Sequence, residues 1–463
     1  MGAIALVIGI VAASACTHEA PLVSRPSDAS RSLVLRNVRV FDAPNARLLE
    51  GLRDVVVQNG RIEAIGPPGL AASGMLEIDG RGETLLPGLV DVHTHTSAAS
   101  DPPWVVSLPD VDANLAAFLY AGVTTVLDLG GMSPAIFRER ERVAKGELLG
   151  PQVYAAGPIF TVPGGHPAEV LRDALPFYLR WYVVPRATRE VSSPDEARRA
   201  VSDLLPERPD VIKLALDGGG DGNIPRLDRN MIAAITEAGH RAGVRSIAHI
   251  GSSAEAIDAV KGGVDALAHS PWREDISDEA VAAIKAAHVP VVATLAVWDV
   301  AGTPRTSRSD FLPIELEVAG PKLVAAFLEP PPPLDEMTAS FMRAATAAHD
   351  ARRRNVAKLR AAGIPILAGS DACNPYDLPG AGLHLELLKL VEAGLTPAEA
   401  LRTATWDNAR FLAGENANFG EIAVGKRADL VLVAGDPLSH ISDLGMITHV
   451  ILGGTVLERH APR

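Results

Sequence analysis

Leu89-Val90-Asp91-Val92-His93-Thr94-His95 is a short apolar run ending in two histidines separated by a single residue. Read as a strand, it turns alternate side chains to opposite faces, so His93 and His95 share a face. The rise of a strand puts them roughly 7 Å apart along the backbone, a spacing from which both imidazoles can reach one metal ion. A chain with 13 histidines also produces such pairs by chance. The rest of the sequence has to decide between the two.

Seven more apolar runs follow within 87–413, at 124–129, 152–156, 211–216, 246–250, 266–269, 289–295 and 364–371. Helical patterns lie between them at 112–121, 195–205, 228–242, 254–261 and 278–287, several opened by an Asp or Ser suited to capping. Strand and helix alternating eight times predicts an α/β fold of the (β/α)8 barrel type. An open doubly wound sheet is the alternative, but no Gly-x-Gly-x-x-Gly opens any unit, which argues against a nucleotide-binding version. Two inserts, 158–194 and 298–335, follow the third and seventh runs and should lie over the barrel mouth as substrate-facing lids.

Both flanks read as short strands. Asn59-Gly60 marks a hairpin in the N-terminal flank, and turns fall at Gly425, Gly435 and Gly453-Gly454 in the C-terminal one. Neither set makes a stable domain unaided. The economical arrangement is a small β-sandwich domain built from 32–86 plus 414–463, around a barrel spanning 87–413.

The formal net charge of -13 argues against a nucleic-acid partner, which calls for a basic face. Cys16 and Cys373 give no disulfide framework. Residues 1–16 hold an aliphatic run and then Ala13-Ser14-Ala15-Cys16, followed by a polar linker over 17–31. That order resembles a bacterial export or lipoprotein signal with Cys16 lipidated, although no Lys or Arg precedes the apolar run. The expected location is exported, periplasmic or membrane-anchored, with any membrane association made through Cys16. Self-association as a homo-oligomer stays open.

In a barrel, the ends of the strands sort the histidines. His95 ends the first run, His249 and His269 fall at the fifth and sixth, and Asp371 ends the eighth. These are the C-terminal strand ends where barrel enzymes build their sites, and imidazoles with a carboxylate suit zinc or a similar divalent ion. Lys213 stands mid-run in Val211-Ile212-Lys213-Leu214-Ala215-Leu216. Poor solvation there favours the neutral amine, which can add carbon dioxide to form a carbamate ligand. A lysine paired with a buried carboxylate, Asp371 or Asp91, fits the same position.

The chain from Ser32 onward resembles the amidohydrolase superfamily, in its imidazolonepropionase-related, prolidase-like branch. The resemblance is carried by Leu86-Pro87-Gly88-Leu89-Val90-Asp91-Val92-His93-Thr94-His95, Ile212-Lys213, Ala248-His249, Ala268-His269, Gly369-Ser370-Asp371 and the stretch from Gly420 to Val431. It implies two divalent metal ions, the first on His93, His95 and Asp371, the second on His249 and His269, bridged by a carboxylated Lys213. It also implies a metal-bridging hydroxide that attacks an amide, with Asp371 as proton carrier and His166, in a Gly-Gly-His loop, as a substrate contact. The expected activity is hydrolysis of a dipeptide or N-acyl amino acid. Hydrolysis of cyclic amides or esters is the alternative on the same scaffold, and a non-catalytic, surface-anchored binding protein is the alternative of another class. Among the remaining histidines, His384 is expected to be structural. The loop arginines Arg180, Arg186, Arg189, Arg305 and Arg308 are candidates to meet a substrate carboxylate.

Overall fold

The computed structural model describes residues 21–27, 30–105, 107–303, 305–334 and 336–460; the expected signal with its Cys16 lies outside them. Among the described residues no helix is long and apolar enough to cross a membrane. Eight barrel strands run Leu89–Thr94, Val123–Asp128, Gln152–Ala155, Val211–Ala215, Arg245–His249, Ala266–Ala268, Val291–Val292 and Ile366–Leu367. The third strand resumes as Ile159–Thr161, which pairs onto the fourth through Phe160 and Leu214. Thr94 bridges Ala372 in parallel, and the Asp371 amide donates to the His93 carbonyl at 2.7 Å, so the barrel closes between its first and last strands.

Strand alternation accounts for the two sides of the barrel wall. Val90, Val92, Leu127, Val211, Ile247, Ala266, Val292 and Leu367 share one apolar cluster, which Ala409 and Phe419 complete. Val211 lies on the same face of the fourth strand as Lys213, the face turned to the inside of the ring, and so marks this cluster as the interior. Ile212, Leu214, Ala248, Leu267 and Val291 belong instead to the larger cluster that holds the surrounding helices.

The seventh run differs from expectation. Its strand stops at Val292, Thr294 turns the chain in the left-handed region (φ 48°), and Leu295–Gly302 is a helix. The apolar pattern ran on because Leu295, Ala296 and Trp298 are buried as helix rather than as strand. Both inserts are mostly helical. The first carries Ala168–Ala174 and Phe177–Ala187, and the second Pro313–Leu328.

The chain ends meet in one nine-stranded sheet, in which Leu430–Val433 pairs antiparallel with Thr84–Pro87, and that strand pairs with Leu33–Asp42. Leu85, Leu430, Leu432 and Ile451 face an interior they share with Leu33, Val55 and Ile62. Their neighbours Leu86, Val431, Val433 and Val450 turn the other way and pack against the barrel's helices. The two-residue period thus both fills the small domain and fastens it to the barrel.

Candidate metal centre

His95 sits just past the first strand and Asp371 just past the eighth, so barrel closure brings them together. His93 Nε2 lies 3.2 Å and His95 Nε2 3.0 Å from Asp371 Oδ1. These residues offer three ligand atoms within 4.8 Å of one another. His269 Nε2 lies 3.9 Å from Asp371 Oδ2 and 2.8 Å from His249 Nδ1. Lys213 Nζ is 3.2 Å from His93 Nε2 and makes no ion pair with a carboxylate among the described residues. The six side chains expected at the site therefore converge on one buried space.

Burial sets their charge. It pushes the Lys213 ammonium down to about 7 and His249 down to about 4, and it holds His93 and His269 well below the ordinary histidine value. Neutral imidazoles are the form that binds metal. Asp91 is not the partner of Lys213. It accepts from Ser370 Oγ at 2.6 Å and from the His93 amide at 3.1 Å, joining the first and last strands, and burial raises its pKa to about 7.

The proton network tests whether a cation belongs here. Asp217 Oδ2 accepts from His249 Nε2 at 3.0 Å, so the lone pair of that ring is on Nδ1. The Thr294 hydroxyl donates to the Ala293 carbonyl at 2.9 Å and so accepts from His269 Nδ1 at 2.5 Å, leaving the His269 lone pair on Nε2. Two lone pairs thus face each other 2.8 Å apart. On the other side, His95 Nδ1 donates to the Gly130 carbonyl at 3.4 Å, which turns the Nε2 lone pair toward the Asp371 carboxylate. Such a set of facing lone pairs suits a bound cation. Asp371 and His269 also hold left-handed backbone (φ 72° and 76°), a strain that concentrates at functional sites.

His166 reaches the same space. Its ring centroid lies 4.9 Å from that of His249, and its Nδ1 bonds Glu169 Oε1 at 2.9 Å. Burial alone would lower its pKa, but the Glu169 carboxylate prevails and raises it. The loop arginines are engaged elsewhere. Arg180 bonds the Leu175 carbonyl, Arg186 the Tyr182 carbonyl and Arg189 the Pro185 carbonyl, while Arg305 pairs with the buried Glu315. Arg308 opens a short turn at Arg308–Asp310. His384 is buried and bonds the Ala121 carbonyl, a structural place as expected, and Cys373 is buried.

Sequence reasoning missed Asp217, Trp272, Arg273 and Thr294, which surround the candidate ligands; of these only Asp217 is a ligand-type residue near a strand end. A signal existed for Asp217. Counting by twos from Lys213 through Ala215 reaches it, on the same side of the fourth strand's continuation.

A barrel whose C-terminal strand ends gather four imidazoles, a lysine and a carboxylate around one buried space is the framework of a metal-dependent hydrolase. The amidohydrolase family model matches residues 84–457, and the chain belongs to that family. It is 26% identical over 406 residues to an ochratoxinase of Aspergillus niger, covering 81% of this chain and 75% of that one. It is also 26% identical over 435 residues to an imidazolonepropionase of Geobacillus kaustophilus, covering 87% and 89%. The fold is shared with a prolidase crystallised with N-methylphosphonate-L-proline, at TM-score 0.73, 24% identity and coverage of 93% and 100%. The chain is thus a hydrolase of the amidohydrolase family.

Proposed function

We propose that this chain is a binuclear amidohydrolase that cleaves the amide bond on the nitrogen of an amino acid, in a dipeptide or an N-acyl amino acid. The observation that carries the reading is the convergence of His93, His95, Lys213, His249, His269 and Asp371 with their lone pairs turned inward. His93, His95 and Asp371 would hold one divalent ion and His249 and His269 a second, zinc being suited to this donor set. A carboxylated Lys213 would serve both, and its depressed pKa and the lack of a carboxylate partner among the described residues support that role. The ions supply Lewis-acid polarisation of the scissile carbonyl and an acidified water.

The chain's own residues do the rest. Asp371 Oδ1 faces His93 Nε2 and His95 Nε2 and accepts from Asn374 Nδ2, whereas Oδ2 takes no hydrogen bond among the described residues. Oδ2 is therefore the atom that accepts the proton of the attacking water and delivers it to the departing amine. The Glu169 carboxylate at Nδ1 favours the protonated form of His166, and in that form Nε2–H is a donor toward the oxygen on which charge develops. The relative crystallised with an N-phosphonylated proline supports the substrate class, since its phosphorus occupies the acyl position of such an amide. The apolar run ending at Cys16 supports export and lipidation, which mass analysis of the mature N-terminus tests.

Metal analysis of the purified protein should find about two ions per chain. A panel of dipeptides and N-acyl amino acids should include substrates, and Asp371→Asn should abolish their turnover while the fold persists. One ion per chain with an unmodified Lys213, or an active Asp371→Asn, would refute the binuclear mechanism.

A further inference from the structure

Asp217 lies beyond the end of the fourth strand and is buried. Four donors hold its carboxylate. His249 Nε2 at 3.0 Å and Trp272 Nε1 at 2.8 Å reach Oδ2, while Arg273 Nη1 at 2.5 Å and the Gly219 amide at 2.9 Å reach Oδ1. We propose that Asp217, fixed by Trp272 and Arg273, is the positioning residue that dictates which nitrogen of His249 faces the metal centre. The inference rests on reading His249 as a metal ligand.

The argument starts from what a carboxylate can do. Bonded to a guanidinium it is ionised, and an ionised carboxylate only accepts. The proton of the neutral His249 ring must then sit on Nε2, and Nδ1 is left bare toward His269 Nε2. An acceptor opposite the ligating nitrogen fixes both the tautomer and the plane of the ring.

The surroundings are built to hold Asp217 in place. Arg273 also bonds Glu255 Oε1 at 2.6 Å and the Gly219 carbonyl. Glu255 closes the capping box at the start of helix Ser253–Lys261. The loops after the fourth, fifth and sixth strands are thereby tied together. Gly251 leaves room for the contact, since a Cβ there would lie 2.7 Å from Asp217 Oδ1 and 2.8 Å from Trp272 Nε1. Trp272 stacks on Trp298 at 4.2 Å, and the Trp298 ring meets His269 edge-on at 5.2 Å. One network therefore orients both imidazoles of the second metal position.

The test is Asp217→Asn, read first in the metal-free protein by nitrogen-15 spectra of its histidines. Wild type should show His249 with its proton on Nε2, and the variant should shift population toward Nδ1–H. Zinc titration against a chelator should then show the second ion bound about 10–100-fold more weakly, with the first retained. In a His249→Ala background the same substitution should change zinc affinity no further. Should Asp217→Asn fail to fold, Arg273→Lys, which keeps the charge but loosens the grip, should show the same tautomer shift in part. Unchanged tautomer and zinc affinity would overturn the inference, as would an equal loss in the His249→Ala background. If wild type binds a single ion, the binuclear reading fails, while the tautomer spectrum still decides the role of Asp217.

Discussion

Gly369 shows how closely the site depends on strand packing. A Cβ added there would lie 2.5 Å from Val292 Cγ1, 2.7 Å from His93 Cβ and 3.1 Å from the His93 amide nitrogen. Val292 can yield by rotating its side chain. His93 cannot, because its carbonyl is tied to the Asp371 amide at 2.7 Å. Ordinary carbon contacts begin at about 3.4 Å, so Gly369→Ala must drive the first and eighth strands apart by ~0.7 Å. Overpacking of this kind costs about 1–3 kcal/mol of stability. It also moves His93 relative to Asp371, and misplacement on this scale reduces turnover on the order of 100-fold. Thermal unfolding of the metal-free protein, ions bound per chain and kcat/KM together measure the effect. A Gly369→Ala protein with wild-type zinc affinity and turnover refutes the reasoning. So does full rescue by Val292→Ala, which would place the clash on Val292 alone.

Other outcomes follow from buried charge. His384 has its pKa lowered to about 4 by burial, against 6.5 unperturbed. As pH falls through 6.5 the unfolded chain takes a proton that the native ring refuses until about 4, so stability declines across that window by up to about 3 kcal/mol. Denaturant midpoints between neutral and acid pH should fall less steeply in His384→Gln, and an unchanged slope would contradict the assignment. Arg305→Met strands the buried Glu315, so the melting temperature should drop by the equivalent of about 3–5 kcal/mol with KM unmoved. A raised KM with an unchanged melting temperature would instead make Arg305 a substrate anchor.

The residues legible in the sequence were those whose type and position along the strands already mark them for the place the structure gives them in the candidate site. His93, His95, His249, His269 and Asp371 are donors at or next to strand ends, and Lys213 is a charge inside an apolar run. The eightfold alternation was legible for the same reason, because core-facing strands and capped helices leave local patterns. What failed to show was whatever depends on contact between distant segments. Asp217 matters through Trp272 and Arg273, which reach it only once the fourth and sixth strands lie on the same rim. Thr294 matters through one hydroxyl, and no periodicity marks it. Ala293 to Leu295 read as more strand because a helix buried on most sides prolongs the same apolar run.

The joining of the two chain ends in one sheet also orders the assembly of the protein. Thr84–Pro87 pairs on one side with Leu33–Asp42, but its other neighbour, Leu430–Val433, leaves the ribosome only after the entire barrel. Until then the early strands carry an open row of amides and carbonyls, the kind of edge that recruits foreign strands. Pairing across such a sequence separation is slow, because the intervening loop must be closed first. Closing the barrel shortens that loop by bringing the strand leading into Leu89 near the segment that leaves Ala413. The barrel thus acts as the template on which the smaller domain completes itself. A chain cut short before Leu430 is left with an unsealed edge, open to aggregation.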